Sequence, residues 1–345
     1  MWSTGFGGDC PGLIGVARYL GLIVNTIAHW LYKSIPVPEN PTYSCKDITI
    51  ILPTISTDIE ETLWKFSKSM NARNRKVLKV PVANKRLQVC KAVPFVKTRI
   101  TVMADDDVIW PSTMFPWLLA PFEDEKIGAV GTSQRIRRLK TGTIMERCYN
   151  WLGAVYIERR NFEISATHYI DGGTSCMSGR TCALRTKILQ DSDFLLGFAT
   201  EIWRGHLLKA DDDNFITRWL VAKRWKTWVQ YSRECEIETT LENNPKFRFQ
   251  CSRWARSNWR SNYTSLFVER HIWRTSIFEN RVRVTLRVAF LIWWLTAKNI
   301  KLAGLYKRNI WDIRFMPVSI LFTYFHSYIK AQALFSLSET NWGSR

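Results

Sequence analysis

The chain has 345 residues, of which 46% are hydrophobic and 23% are charged, so it can bury a large core and is not a globally disordered protein. Its net charge of +19 favours an anionic partner, such as a phosphorylated substrate, an acidic membrane surface or a nucleic acid. The eight cysteines form no CxxC pair, which argues against zinc ribbons and thioredoxin-type redox sites and predicts reduced thiols facing the cytosol.

The N-terminal segment Pro11–Tyr32 is apolar and carries one full charge, Arg18. Its length is sufficient to cross a bilayer as a helix. The basic residues after it indicate that the following chain faces the cytosol. We therefore predict a transmembrane helix within residues 1–34. A buried helix of a soluble domain is the alternative, because Arg18, Asn25 and His29 are polar.

After a proline-rich linker, the chain alternates between strand and helix patterns. Ile48–Leu52 is a continuous apolar and β-branched run, which is typical of a buried parallel strand. Thr57–Met70 has apolar residues at helical spacing after a capping residue. A second apolar strand is predicted at Arg99–Met103. This alternation predicts an α/β domain over residues 45–270, with ligands bound beyond the carboxyl ends of the strands.

Two aspartate triplets follow the pattern of a ligand site. Asp105–Asp107 come directly after the second strand, and Asp211–Asp213 open an apolar helix. Such crowded carboxylates are tolerated when a divalent cation, Mg²⁺ or Mn²⁺, neutralises them, and a bound diphosphate would also explain the excess of basic residues. A carboxylate of the second triplet could also act as a general base. A solvated acidic turn and simple helix capping are the alternatives.

Two further motifs contain residues suited to a phosphorylated ligand. In the stretch DGGTSCMSGRTCALR, the glycines, including Gly179, allow the backbone to approach a ligand closely, although an ordinary loop is the alternative. The QCSRW motif would place Gln250, Arg253 and Trp254 on one face of a helix. Together they supply an amide, a guanidinium for phosphate and a ring for stacking. A basic helix lying on a membrane or a nucleic acid is the alternative.

The C-terminal region, residues 280–345, contains two apolar segments, Arg287–Ala297 and Phe315–Ile329. Both are shorter than a comfortable membrane span. They are predicted to be membrane-associated, either as interfacial amphipathic helices or as short spanning helices.

Taken in order, the ILPT, DDD, CMSGRTCALR, DD and QxxRW motifs resemble those of the processive membrane-embedded glycosyltransferases of family two. These include hyaluronan, cellulose and chitin synthases, and the likeness is strongest to hyaluronan-synthase-like fungal polysaccharide synthases. The resemblance covers Asp47–Arg345. It implies a GT-A nucleotide-diphospho-sugar fold with a mostly parallel sheet. This domain would lie on the cytosolic side of the plasma membrane and be flanked by membrane or interfacial helices. It also implies a UDP-sugar donor, a growing polysaccharide acceptor, a lipid bilayer around the helices and no nucleic-acid partner.

The resemblance further implies roles for single residues. Asp105 and Asp107 would bind the metal, Mg²⁺ or Mn²⁺, and Asp106 could replace either of them. Asp213 would be the general base, with Asp212 as its catalytic neighbour. Trp254 would bind the acceptor. The donor would be bound by Thr54, Lys85, Arg86, Asp105, Asp106, Gly179, Arg180, Gln250 and Arg253.

One departure from the family pattern affects the expected activity. Only about fifty residues separate ILPT from the first triplet, so one strand–helix unit of ~30 residues is missing there. A catalytically impaired or truncated paralogue is therefore the alternative to an active synthase. A basic membrane or nucleic-acid binding module is a further alternative, because the Arg and Trp residues of Arg248–Arg260 would suit stacking on single strands. Two aspartate triplets would repel phosphates unless a metal intervened.

Overall fold

A computed structural model describes residues 22–55, 75–174, 176–270 and 301–337. Its strands are β1 (Ile48–Ile51), β2 (Ile100–Ala104), β3 (Ile127–Thr132), β4 (Gln134–Ile136), β5 (Thr181–Arg185), β6 (Ile202–Trp203), β7 (His206–Leu207), β8 (Lys226–Gln230) and β9 (Ile237–Thr239). The central sheet has the strand order β1-β2-β5-β3-β8. β1 is parallel to β2 and β3 is parallel to β8, whereas β5 is antiparallel to both of its neighbours. The predicted mostly parallel α/β sheet is confirmed.

The α-helices described are α1 (residues 22–31), α2 (Lys85–Ala92), α3 (Met114–Leu119), α4 (Ile144–Asp171), α5 (Thr186–Leu189), α6 (Ser192–Thr200), α7 (Asp212–Ala222), α8 (Phe247–Tyr263), α9 (Ala303–Arg308) and α10 (Met316–Phe335). Helix α8 continues directly into a π-helical turn at Thr264–Glu269. Three of these helices, α2, α7 and α8, carry residues of the predicted site.

Strand β2 is buried along its whole length because helices cover both faces of the sheet. Its side chains alternate between two apolar clusters, as the period of a strand requires. Met103 packs with Val89 of α2 and Ile216 of α7 on one face. Val102 packs with Phe122 on the other face. This double burial explains the continuous apolar run in the sequence and fixes where the strand ends, immediately before the first aspartate triplet.

The predicted local elements can be compared with the structure where it describes them. Both predicted strands are present. The helix that starts at the second triplet is present as well, and so is the helix that carries QxxRW. The predicted helix Thr57–Met70 and the apolar segment Arg287–Ala297 lie outside the described residues. Between β1 and β2, the residues that the structure describes contain α2 but no strand.

Only the second half of the predicted N-terminal span lies within the described residues, and there it packs against the α/β domain. In α1, His29 Nδ1 and Ser165 Oγ are 2.6 Å apart. Just after α1, the Tyr32 hydroxyl donates to the Val229 carbonyl at 2.7 Å. Among the helices of the described ranges, none is both long and apolar enough to cross a membrane.

The C-terminal helices α9 and α10 pack onto α4 and α8 and form a third apolar cluster with them. Buried ion pairs attach the same segment. Asp312 accepts two hydrogen bonds from Arg138, at 2.5 and 3.0 Å. Arg308 contacts Glu158 at 3.2 Å and Glu236 at 3.0 Å. The predicted segment Phe315–Ile329 is helical from Met316 onward, as part of α10. The packing described above covers one side of this helix.

Candidate active site

Strand pairing brings the first aspartate triplet and the glycine loop together at one edge of the central sheet. β5 is antiparallel to β2 and places Thr181 opposite Ala104. The loop after β2 and the loop before β5 therefore lie side by side. The backbone N–H of Asp105 donates to the Arg180 carbonyl at 3.1 Å, which holds the triplet against the glycine loop.

These loops and two helix ends enclose a cavity of about 160 Å³. The cavity joins motifs that lie up to two hundred residues apart in the sequence. Almost every predicted site residue lines it, namely Thr54, Lys85, Asp105, Asp106, Asp107, Gly179, Arg180, Asp212, Asp213, Gln250, Arg253 and Trp254.

Lys85 links the two aspartate triplets. Its Nζ lies 2.8 Å from Asp105 Oδ1 and 3.0 Å from Asp212 Oδ2. Burial alone would favour the neutral amine, but the negative charges of these carboxylates outweigh burial, so the pKa of Lys85 is raised. A Cβ on Gly179 would come within 3.1 Å of Lys85 Nζ. The absence of a side chain at Gly179 therefore leaves room for this ion pair beneath the glycine loop.

The aspartates of the first triplet have different partners. Asp106 accepts a hydrogen bond from the Thr54 hydroxyl at 2.5 Å, which ties the end of β1 to the triplet. Asp107 accepts a longer bond, 3.3 Å, from the Thr239 hydroxyl at the end of β9. Since Asp105 pairs with Lys85, all three carboxylates are held in place at the mouth of the cavity.

All three aspartates of the second triplet line the cavity, but they have different partners. Asp211 precedes α7 with a positive φ of 64°, and its Oδ2 accepts a hydrogen bond from Arg260 at 2.7 Å. Asp212 pairs with Lys85. Burial, and then the adjacent Asp212, raise the pKa of Asp213, while Arg160 and Lys85 oppose this effect. A carboxylate with a raised pKa is a better proton acceptor near neutral pH, so Asp213 has the properties of a general base.

Helix α8 presents the QxxRW side chains to the cavity on one face, as the spacing predicted. The Gln250 side chain accepts the Glu242 N–H at 3.4 Å. The Trp254 ring packs 4.9 Å from Tyr156 and 5.2 Å from the Arg180 guanidinium. Within the described part of the chain, the buried Nε of Arg253 has no hydrogen-bond partner. Arg253 lines the cavity, where the positive charge of its guanidinium favours an anionic group.

Arg86 is the predicted donor-binding residue that the structure places elsewhere. Its side chain is fully buried behind the cavity wall. There it donates hydrogen bonds to the carbonyls of Phe198, Ala210 and Asp211 and to the carboxylate of Glu201. Lys85 and Arg86 face different ways because they are adjacent at the start of a helix, where neighbouring side chains project about 100° apart.

The structure adds cavity residues that the sequence analysis missed. Arg160 on α4 lines the cavity and donates to the Cys176 carbonyl at 3.3 Å. Asn214 on α7 donates to the Ser257 hydroxyl at 2.7 Å and so joins α7 to α8. The only signal for Arg160 was a short charged stretch, ERRN, within an otherwise apolar helix.

The carboxylates of the first triplet suit a divalent cation that is shared with a ligand. No group of three His, Cys, Asp or Glu side chains within the described ranges forms a ready-made metal site. Mg²⁺, however, is commonly held by one or two carboxylates together with substrate phosphates and water. Asp105 and Asp107 line the same cavity as Arg253, which carries the positive charge that a phosphate group would need. The residues present therefore fit a cation that binds together with a diphosphate.

Comparison with known proteins finds similarity to glycosyltransferases. A family model described as "Glycosyltransferase like family 2" matches residues 58–257. A "Type 2 glycosyltransferase" of Gibberella zeae is 50% identical over 387 aligned positions, which cover 95% of this chain and 74% of that protein. A protein of the same name from Pyricularia oryzae is 48% identical over 402 positions, covering 100% of this chain and 82% of its own length.

Among solved structures, a mannosyltransferase from Pyrobaculum calidifontis, in complex with GDP-Man and Mn²⁺, matches with a TM-score of 0.51 and 12% identity. The match covers 94% of this chain and 96% of the other, and at that identity it concerns the fold alone. It supports a GT-A-like fold, as the sequence motifs implied.

Proposed function

The chain belongs to glycosyltransferase family 2, and on that premise we propose that it is a membrane-bound inverting enzyme that extends a polysaccharide from a UDP-sugar donor. The observation that carries the proposal is that both aspartate triplets and the QxxRW side chains line one cavity. The polysaccharide product rests on the resemblance of these motifs to the processive synthases.

In this proposal the donor diphosphate lies between the first triplet and α8. Arg253 and Lys85 both line the cavity and would supply positive charge to the diphosphate. Asp105 and Asp107 would hold the divalent cation, which when bound neutralises charge on the diphosphate. The nucleoside would then lie toward Thr54, at the end of β1.

Transfer would occur as a single displacement at the anomeric carbon of the donor sugar. Asp213 accepts the proton of the acceptor hydroxyl, whose oxygen forms the new bond to that carbon. The bond between the carbon and the diphosphate oxygen breaks at the same time, and its electron pair leaves with UDP. Arg253 stabilises the charge that develops on the leaving group. Trp254, which packs near Tyr156 and Arg180 and lines the cavity, would contact the acceptor sugar with its aromatic ring.

The proposed membrane contact involves the outer face of the C-terminal helices. We name this face the apolar strip. It consists of the exposed residues Ile310, Trp311, Ile313, Leu321, Tyr324, Phe325, Tyr328 and Phe335. Those on α10 recur at helical spacing, and the net charge of +19 favours anionic lipids. We expect the protein to float with anionic vesicles and Leu321→Glu to weaken that flotation, whereas unchanged flotation would argue against the strip as the contact.

The catalytic proposal is tested by nucleotide release in membranes that contain the expressed chain. We expect UDP release with one sugar of a UDP-sugar panel, dependent on Mg²⁺ or Mn²⁺ and abolished by a chelator and by Asp213→Asn. Asp193→Asn, an exposed position in the first turn of α6, serves as the matched control and should retain activity. No release with any UDP-sugar from folded protein would contradict the proposal, and release with only a GDP-sugar would correct the donor.

A catalytically impaired paralogue is the second candidate, and the alignments favour it specifically. The Pyricularia oryzae alignment spans 402 positions although this chain has 345 residues, so within the matched region the relative contains residues that this chain lacks. We infer that part of this difference corresponds to the expected strand–helix unit of ~30 residues before the first triplet. Under this alternative, the folded protein would bind UDP weakly or not at all. Restoring the relative's segment would then restore donor binding.

A further inference from the structure

The turn before α7 adopts a backbone conformation that requires support. Asp211 has φ of 64° and ψ of 27°, in the left-handed region that residues with a side chain rarely adopt. It is followed directly by Asp212 and Asp213, the first two residues of α7. Any relaxation of Asp211 would therefore rotate both of these carboxylates.

Arg86 supports this turn from the side of α2. Its Nε donates to the Ala210 carbonyl at 2.8 Å, and its Nη2 donates to the Asp211 carbonyl at 3.0 Å. Its remaining hydrogen bonds reach the Phe198 carbonyl at 3.0 Å and Glu201 at 2.6 Å. Because a planar guanidinium can satisfy several carbonyls at fixed angles, this side chain defines the path of the turn.

Arg260 supports the same turn from the side of α8. Its Nε donates to Asp211 Oδ2 at 2.7 Å, and both side chains are buried. Arg260 lies seven residues, or two helical turns, after Arg253, so the helix that presents the QxxRW motif also holds the turn. Glu201, which Arg86 contacts, additionally pairs with Arg218 on α7. The turn is thus attached to α2, α7 and α8.

We propose that Arg86 and Arg260 form a clamp that positions Asp212 and Asp213 for catalysis. Arg86 is then a positioning residue and not a donor ligand. The clamp links the orientation of the general base to the helix that would bind the diphosphate. Its kinetic consequence rests on the proposed function, whereas its structural consequence, a stiffened turn, does not.

Arg185 provides a matched control within the same chain. It is also a buried arginine with four hydrogen bonds, to the carbonyls of Ile127, Phe122 and Asp124 and to the Tyr43 hydroxyl. It ends β5, about 14 Å along the strand from the cavity edge at Thr181. Arg185→Lys therefore removes a similar amount of buried hydrogen bonding without touching the catalytic turn.

The experiment compares Arg86→Lys, Arg260→Lys and Arg185→Lys with the parent chain. Hydrogen–deuterium exchange should increase at residues 208–215 in the first two variants and remain at the parental rate there in the third. If the parent chain transfers sugar, kcat should fall about 100-fold in Arg86→Lys, because a displacement of the catalytic carboxylates by about 1 Å is sufficient for such a loss. The donor KM should change less than about threefold. The acid limb of the kcat profile should also move, since the environment of Asp213 changes.

Two results would overturn the clamp. A higher donor KM at unchanged kcat in Arg86→Lys would make Arg86 a donor ligand. Exchange at residues 208–215 that matches the Arg185→Lys control would make it a general structural residue. If Arg86→Lys does not fold, Glu201→Gln takes its place, because it removes the charge of the carboxylate that Arg86 contacts. It is measured by the same hydrogen–deuterium exchange experiment. A parent chain without transfer to any acceptor would refute the proposed function, and exchange would still decide the clamp.

Discussion

Replacing Lys85 by Met tests whether the buried ammonium group holds the two triplets together. The substitution keeps an unbranched chain of similar length and removes the charge together with the hydrogen-bond donors of the ammonium group. Lys85 is 7% exposed in its side chain and pairs with Asp105 at 2.8 Å and with Asp212 at 3.0 Å. The pKa of Lys85 is raised, so its side chain is protonated at every pH below the usual lysine range. The contribution of the ion pair to stability is lost only when the pH rises through that higher pKa.

The expected loss follows from the burial of the partners. Removing one member of a buried ion pair costs roughly 3–5 kcal/mol, because the remaining charge is left without compensation. Asp212 is nearly buried, but the Asp105 side chain is 34% exposed and can be solvated by water. We therefore expect the low end, about 3 kcal/mol of the free energy of unfolding. For a chain of 345 residues that corresponds to a decrease in Tm of about 4 °C.

The assay is thermal unfolding of Lys85→Met between pH 6 and pH 8. Lys226→Met is the control, because Lys226 forms an exposed pair with Asp124 at 3.4 Å and such pairs contribute little. A Tm of Lys85→Met equal to that of the control variant would refute the assigned role of the ion pair.

The same variant makes a kinetic prediction with a defined sign. Lys85 lowers the pKa of Asp213 in the folded protein, against the larger effects of burial and of Asp212. Without the ammonium group, that pKa should rise further. The acid limb of the kcat/KM profile should therefore move to higher pH, and a shift to lower pH would contradict the arrangement of charges.

Other variants test the remaining features of the site. Asp213→Asn should lower kcat by roughly 10²–10⁴-fold. It should also raise Tm near neutral pH, because a carboxylate whose pKa is raised in the folded state destabilises the protein at pH values above its unfolded-state pKa. A lower Tm would contradict the burial argument. Gly179→Ala should raise the donor KM, since its Cβ would lie 3.1 Å from Lys85 Nζ; steady-state kinetics with an unchanged KM would show that the loop can yield. Asp312→Asn should loosen the C-terminal helices and increase proteolysis within residues 303–337, because Arg138 loses its charged partner.

Local pattern was sufficient for the elements that make up the site. The position of the first triplet could be predicted because an apolar strand must end where three charges begin. The helical face of Gln250, Arg253 and Trp254 could be predicted because helical spacing depends only on backbone geometry. In both cases the relevant interactions lie within a few residues along the chain.

Arg86 shows why the rest could not be predicted. Beside Lys85 in the sequence, it has the same charge and a similar length, yet one side chain faces the cavity and the other faces the core. The difference arises from the packing of α2 on α6 and from carbonyls more than one hundred residues away. Arg160 is similar, because its approach to the cavity depends on how α4 crosses the domain.

The C-terminal helices illustrate the same limit on a larger scale. Their apolar composition predicted an association with membrane, but composition does not indicate which face is already covered. Asp312 is buried against Arg138, and α10 packs on α8. Part of the apolar surface that the sequence offers is therefore used inside the protein, while the apolar strip that includes Leu321 is exposed.

By itself, then, the sequence determined the α/β class, the ends of the strands and the types of chemical group at each motif, because these follow from backbone periodicity and side-chain chemistry. The tertiary structure decided which carboxylates pair with Lys85 and which one has a raised pKa. It also decided that Arg86 is buried at the turn whereas Arg253 lines the cavity. Those outcomes depend on distances of about 3 Å between groups far apart in the chain, because electrostatic and hydrogen-bond energies change steeply over that range.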